Sequence, residues 1–121
     1  MVFPHVVIKA WGKEIWFANN AEKNYCGKEL QIDHGWQLSL HRHLVKDETF
    51  YIMAGPVVVE YSDNADGSGL KMRRLLPGDR FHVPAGRWHR LRAATRNASV
   101  IEASTFHDDA DVERLVPSCQ V

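Results

Sequence analysis

His41-Arg42-His43 is the first place in this 121-residue sequence where side chains of one chemistry are spaced for joint work. Alternate residues of a strand share a face and lie about 7 Å apart at Cα, so the two imidazoles point the same way and can converge on one ion. Glu48 follows the short connection Leu44-Val45-Lys46-Asp47, where a hairpin returns a carboxylate beside the pair. Much later, Pro84-Ala85-Gly86 makes a tight turn that delivers His89 onto the next strand as a third imidazole. Three imidazoles and one carboxylate form a mixed nitrogen and oxygen shell that suits a divalent first-row metal. A six-coordinate ion there keeps about two positions for water or substrate. By spacing alone, an ordinary half-buried strand and a solvated glutamate after a turn account for the same residues.

The elements that must position these groups read as strands. Short β-rich runs are expected at Val6–Lys9, Glu14–Ala18, Lys28–Ile32, Trp36–His43, Thr49–Ala54, Val57–Tyr61, Leu70–Leu76, Arg80–Val83, His89–Arg92 and Ala98–Ser104. Clusters of Gly, Pro, Asn and Asp separate them. Their number and brevity indicate an all-β sandwich or barrel. Ser62 to Gly69 has the composition of an exposed loop joining two halves of one domain, and Asp108 to Leu115 that of one or two helical turns capped by Asp108 or Asp109. In Trp36–His43, Gln37, Ser39, His41 and His43 share one face, which leaves Trp36, Leu38 and Leu40 on the other.

Composition narrows the function classes. The length allows one domain, spanning 1–121, and excludes a multidomain enzyme. Fifteen basic residues balance fifteen acidic ones, which gives no general attraction for nucleic acid or an anionic membrane. No apolar run approaches the roughly 20 residues that span a bilayer. The start Met1-Val2-Phe3-Pro4-His5 lacks a long apolar stretch with a small-residue cleavage site, so a soluble, cytoplasmic protein is expected. Cys26 and Cys119 lie far apart and read as free thiols, with one long-range disulfide as the other possibility.

At the motif level the sequence resembles the cupins. Their first motif, G-x5-H-x-H-x3,4-E-x6-G, is matched by Gly35, His41, His43, Glu48 and Gly55. The second, G-x5-P-x-G-x2-H-x3-N, is matched by Gly78, Pro84, Gly86 and His89, with Ala93 in place of the final Asn. The resemblance implies a small double-stranded β-helix, a jelly-roll-like barrel with a short C-terminal tail. Inside it, His41, His43, Glu48 and His89 would hold one divalent transition metal (Zn, Mn, Fe, Ni or Co). Outside the motifs, Lys9-Ala10-Trp11-Gly12-Lys13-Glu14, Leu38-Ser39-Leu40 and Asp109-Ala110-Asp111-Val112-Glu113-Arg114-Leu115 resemble the cupin domain of type II mannose-6-phosphate isomerases. That likeness implies a sugar or sugar-phosphate isomerase or epimerase. Two departures stand out: His41 replaces that group's usual Gln, and Lys46 its usual Arg. The accompanying nucleotidyltransferase domain is absent from the sequence, so guanylyl transfer is not inherited. The same ligand set also fits a non-haem Fe(II) dioxygenase, and a non-catalytic metal- and sugar-binding cupin is the third reading.

Around this centre, Lys46 and His82 are the candidates for substrate contact or proton transfer, and His107 is a further titratable imidazole. Gln37, Tyr51 and Glu102 are expected to support the pocket. Eight basic residues between Lys71 and Arg96 read as solvated positions paired with the acidic tail, and the four tryptophans as core. Inward-facing histidines leave Trp36, Leu38 and Leu40 facing outward, to be covered by the N-terminal strands or a second copy. A homodimer is the expectation.

Overall fold

The computed structural model describes residues 2–121. It is built from thirteen antiparallel strands: β1 His5–Lys9, β2 Gly12–Asn20, β3 Tyr25–Ile32, β4 Trp36–Gln37, β5 Leu40–His43, β6 Glu48–Ala54, β7 Val57–Ser62, β8 Lys71–Leu75, β9 Arg80–Val83, β10 Trp88–Ala93, β11 Ala98–Ser104, β12 Val112–Val116 and β13 Cys119–Gln120. Six of them form one sheet in the order β1-β2-β3-β11-β6-β9. The other seven form a second sheet, β12-β5-β10-β4-β13, with β7 pairing β10 and β8. The expected all-β, jelly-roll-like architecture is what the chain adopts.

The inward rows explain how one small barrel holds both a core and a site. Side chains alternate across a strand, so β3 sends Lys28, Leu30 and Ile32 inward, β11 sends Ala98, Val100 and Glu102, and β6 sends Glu48, Phe50 and Ile52. Their register aligns Leu30, Val100 and Ile52 toward one end, and Lys28 with Glu102 toward the other. On β10, likewise, His89 lies toward the polar end and Ala93 toward the apolar one, where it pairs with Val57. Ala93 is only 1% exposed and belongs to the apolar cluster. A residue that packs in the closed end has no use for the amide of the motif Asn.

Gly12 closes the first hairpin at φ +143, a conformation that side chains disfavour, and an added Cβ would collide with the Gln31 carbonyl. The turn leads into β2, on which Glu14 faces the cavity, while Trp11 packs in the core.

Three expectations are corrected here. Trp36–His43 is not one strand: it breaks at Leu38-Ser39, where Leu38 donates from its N–H to the Leu91 carbonyl. The break resets the alternation, so Leu38 joins the core and Leu40 is buried as well, at 7% and 4% exposure. The apolar face thought to need a partner is covered by the chain itself. The segment from Asp108 to Leu115 forms only a 3-10 turn, Asp109–Asp111, capped by the Asp108 side chain, before it becomes β12 against β5. Pairing with an available strand edge outcompetes a short isolated helix. The basic residues of 71–96 that do find partners take Glu60 (Arg90) and Asp63 (Arg87), not the acidic tail. Both cysteines are free, as read.

Candidate metal centre

β5 and β10 are antiparallel neighbours with His41 directly opposite His89, which brings the two motifs side by side. Gly86, at φ +90, lets the turn before β10 close so tightly that its N–H donates to the His43 carbonyl at 2.7 Å. The ring centroids of His41 and His89 are 4.5 Å apart, those of His41 and His43 5.2 Å, and ligand atoms of all three rings lie within 4.8 Å of one another. Glu48, at the start of β6, sets Oε1 2.9 Å from His89 Nε2 and 3.8 Å from His43 Nε2.

Hydrogen bonding fixes which nitrogens are free. His41 Nδ1 lies 2.9 Å from the Ser39 carbonyl and His89 Nδ1 3.0 Å from the Arg87 carbonyl. A carbonyl only accepts, so both rings carry their proton on Nδ1 and turn a bare Nε2 to the centre. His89 Nε2 and Glu48 Oε1 are buried without a hydrogen-bond partner although they sit 2.9 Å apart. Two lone pairs at that distance repel unless a cation lies between them, and about 3 Å is the separation of adjacent ligands on bonds of about 2.0–2.2 Å. The donor set fits a divalent transition metal.

Electrostatics agree. Burial pushes His43 down to about 4, and burial with His89 and His43 beside it holds His41 well below its usual range. Both are therefore neutral near pH 7, the form in which an imidazole can bind a metal. Burial alone would raise the Glu48 carboxyl, but the Lys46 ammonium 3.4 Å away favours its charged form, and the group is held well below the ordinary carboxylate range. Lys46 lies beneath the centre, with Nζ 3.4 Å from Glu48 Oε2, paired to Glu102, and 3.0 Å from His107 Nδ1. Those contacts use its three donors and leave none for a ligand. Desolvation of the ammonium is outweighed by the two carboxylates, so its pKa is raised.

The centre opens into a cavity of about 130 Å³ lined by β1, β2, β3, β5, β10 and the C-terminal segment, with Trp11, Trp16, Glu14, Lys28 and His107 in its wall. Lys28 stacks its ammonium 3.9 Å from the Trp16 ring and lies 3.7 Å from Glu14. Trp88 is buried and Trp11 belongs to the core cluster, as expected, while Trp11 and Trp16 also line the cavity. Asp111 accepts hydrogen bonds from the N–H groups of Leu44, Val45 and Lys46 and so ties the tail to the loop that carries Lys46 and Glu48. Asp111→Ala is expected to cost about 1–2 kcal/mol. Thermal unfolding of the variant, compared with Asp111→Asn, measures it.

His41, His43, Glu48, His89 and Lys46 are brought together. His82 is not: it projects from β9 opposite to Phe81 and Val83, contacts Asp47 at 2.9 Å, and its side chain is 58% exposed. Tyr51 also faces outward, since Glu48 and Phe50 take the inward positions of β6, and Gln37 is buried against Cys119 away from the cavity. Glu102 does reach the site. Sequence reasoning missed Glu14, Lys28 and Arg114. For Lys28 a signal existed: it shares the inward row of Leu30 and Ile32.

The fold and site together define a two-sheet antiparallel barrel whose polar end gathers three imidazoles and a carboxylate, a set compatible with a divalent metal. The chain belongs to the cupin family, whose Cupin domain model matches residues 29–103. Solved structures agree on the fold. The capsular polysaccharide assembling protein CapF of Staphylococcus aureus superimposes with a TM-score of 0.81 at 14% identity, over 93% of this chain and 34% of CapF. Oxalate decarboxylase of Bacillus subtilis gives 0.78 at 17%, over 93% and 30%. KdgF from Halomonas sp. gives 0.73 at 21%, over 91% and 97%. The chain thus spans about a third of the first two proteins and nearly all of KdgF. No curated protein sequence matches it. No helix among the described residues is long and apolar enough to cross a membrane.

Proposed function

We propose that this chain works as a single metal-dependent cupin domain that isomerises or epimerises a sugar or sugar phosphate, with His41, His43, Glu48 and His89 as ligands. The observation that carries the reading is the pair of orphaned buried atoms, Glu48 Oε1 and His89 Nε2, at the floor of a cavity of small-molecule size. When bound, a divalent ion supplies Lewis acidity to a carbonyl and its neighbouring hydroxyl. The chain supplies the rest. Ser39 and Arg87 carbonyls orient two of the imidazoles, Lys46 holds Glu48 in place from below, and Trp11 and Trp16 wall off water. Glu14 Oε1 accepts from Trp16 Nε1 at 2.8 Å, while Oε2 makes no hydrogen bond among the described residues, so Glu14 is the carboxylate placed to take a proton from substrate carbon. Lys46 acts through Glu48, and His82 has no part.

The test is elemental analysis of protein purified without chelator, then a screen of sugars and sugar phosphates on the same sample. The expected result is one bound divalent ion and a metal-dependent interconversion that Glu14→Gln loses while keeping its metal. Turnover unchanged after complete chelation would overturn it. Because three imidazoles and a carboxylate also suit Fe(II), oxygen uptake without isomerisation would transfer the assignment to a dioxygenase. Sugar binding without either would leave a non-catalytic binding cupin. We place the protein in the cytoplasm, in keeping with its two free cysteines. We also propose a homodimer through the outward face of the six-stranded sheet, which exposes Val6, Ile8, Phe17, Tyr51 and Met53. A single monomeric species in light scattering at micromolar concentration would refute it.

A further inference from the structure

We propose that the substrate is an anion, and that Arg114, seconded by Lys9, binds its charged group at the cavity mouth. This deepens the functional reading above and rests on it only for the cavity being the substrate site. The argument starts from what the charged groups of the cavity wall already do. Glu48 and Glu102 share Lys46, Glu14 faces Lys28, Asp109 contacts His107, and Arg90 pairs with Glu60 on the outer face. Two lining cations remain. Arg114 and Lys9 form no ion pair and no side-chain hydrogen bond among the described residues. Lys9 lies close enough to Asp109 to help lower its carboxyl, so Arg114 is the lining cation that no carboxylate engages among the described residues.

Arg114 is also placed for the task. On β12 it sits directly opposite His41 in register, and cross-strand partners share a face, so its side chain leaves the sheet on the same side as a ligand of the centre. One small molecule can therefore reach the imidazole cluster with one end and the guanidinium with the other. The planar fork of Arg matches the paired oxygens of a carboxylate or a phosphate, and the exposed position keeps its donors available. Glu113, its neighbour in sequence, faces the other way and is taken by Arg42.

The test titrates the protein as purified with three probes that share one ring: glucose, glucuronate and glucose 6-phosphate. Both anions are expected to bind at least about tenfold more tightly than glucose. Arg114→Gln should weaken them by about tenfold to a hundredfold and leave glucose unchanged, and Arg114→Lys should recover part of the loss. The tighter anion tells carboxylate from phosphate. Since Arg114 is exposed and unpaired, the Gln variant should keep its melting temperature and metal content, which separates binding from folding. Glucose binding as tightly as the anions, no anion binding at millimolar concentration, or anion affinity unaffected by Arg114→Gln would each overturn the proposal. Absence of metal from the purified protein would defeat the functional reading but leave a selective loss of anion binding in Arg114→Gln standing.

Discussion

Adding a saturating divalent transition ion to chelated protein is expected to raise its melting temperature by on the order of 10–20 °C. The barrel's polar end packs Glu48 Oε1 and His89 Nε2 away from solvent without hydrogen-bond partners, and in the unfolded chain both are satisfied by water. The folded state therefore gains from a shared cation and the unfolded state does not. At free metal about 1,000 times the dissociation constant, that linkage is worth about 4 kcal/mol. A domain of this size converts it at roughly 3–5 °C per kcal/mol. His43→Ala removes a ligand. Loss of a group that merely orients a ligand costs about tenfold to a hundredfold in affinity, so loss of the ligand itself should cost at least the upper figure. At the same metal concentration the gain then falls to about 1.4 kcal/mol, a third of the original shift. Calorimetric unfolding with and without metal reads both numbers. An equal shift in the wild type and in both His43→Ala and Glu48→Gln would place the ion elsewhere.

The convergence of His41, His43, Glu48 and His89 was legible because a metal site would constrain residue type, face and spacing at once, and no packing requirement demands His-x-His followed by Glu and a distant His after a Pro-x-Gly turn. Positions that rest on alternation alone fared worse. Counting outward from Glu48 puts Phe50 and Ile52 inside and Tyr51 outside, and the apolar neighbours Phe81 and Val83 put His82 outside. That count needs an inward residue known in advance. Leu38 shows the other failure, since a break after two residues of strand resets the alternation and no composition signal marks it. Arg114 lay beyond reach for a topological reason. Asp108 carries a true capping signal and does cap one short turn, but the chain beyond it completes the edge of β5. Which strand edge is free depends on the assembled sheet, and a local sequence does not encode it.

Lys46→Met is expected to destabilise the protein by about 3–5 kcal/mol, lowering its melting temperature by on the order of 10–20 °C. The methionine keeps the volume of the side chain but leaves Glu48 and Glu102 facing one another with no cation between them, at side-chain exposures of 1% and 5%. The loss is that of an uncompensated buried charge rather than of an ion pair, so it should be largely recovered in Lys46→Met combined with Glu102→Leu. The metal supplies a second, independent signature. Lys46 and a bound cation both neutralise Glu48, and each weakens the other's attraction to it. The apo protein therefore suffers more from Lys46→Met than the metal-bound protein does, and the thermal shift on adding metal should be larger in the variant than in the wild type. A residue serving only to fill space would lower both melting curves equally. Unfolding of Lys46→Met at the wild-type temperature, or a metal shift no greater than the wild type's, would mean that the ammonium does not hold Glu48 in place.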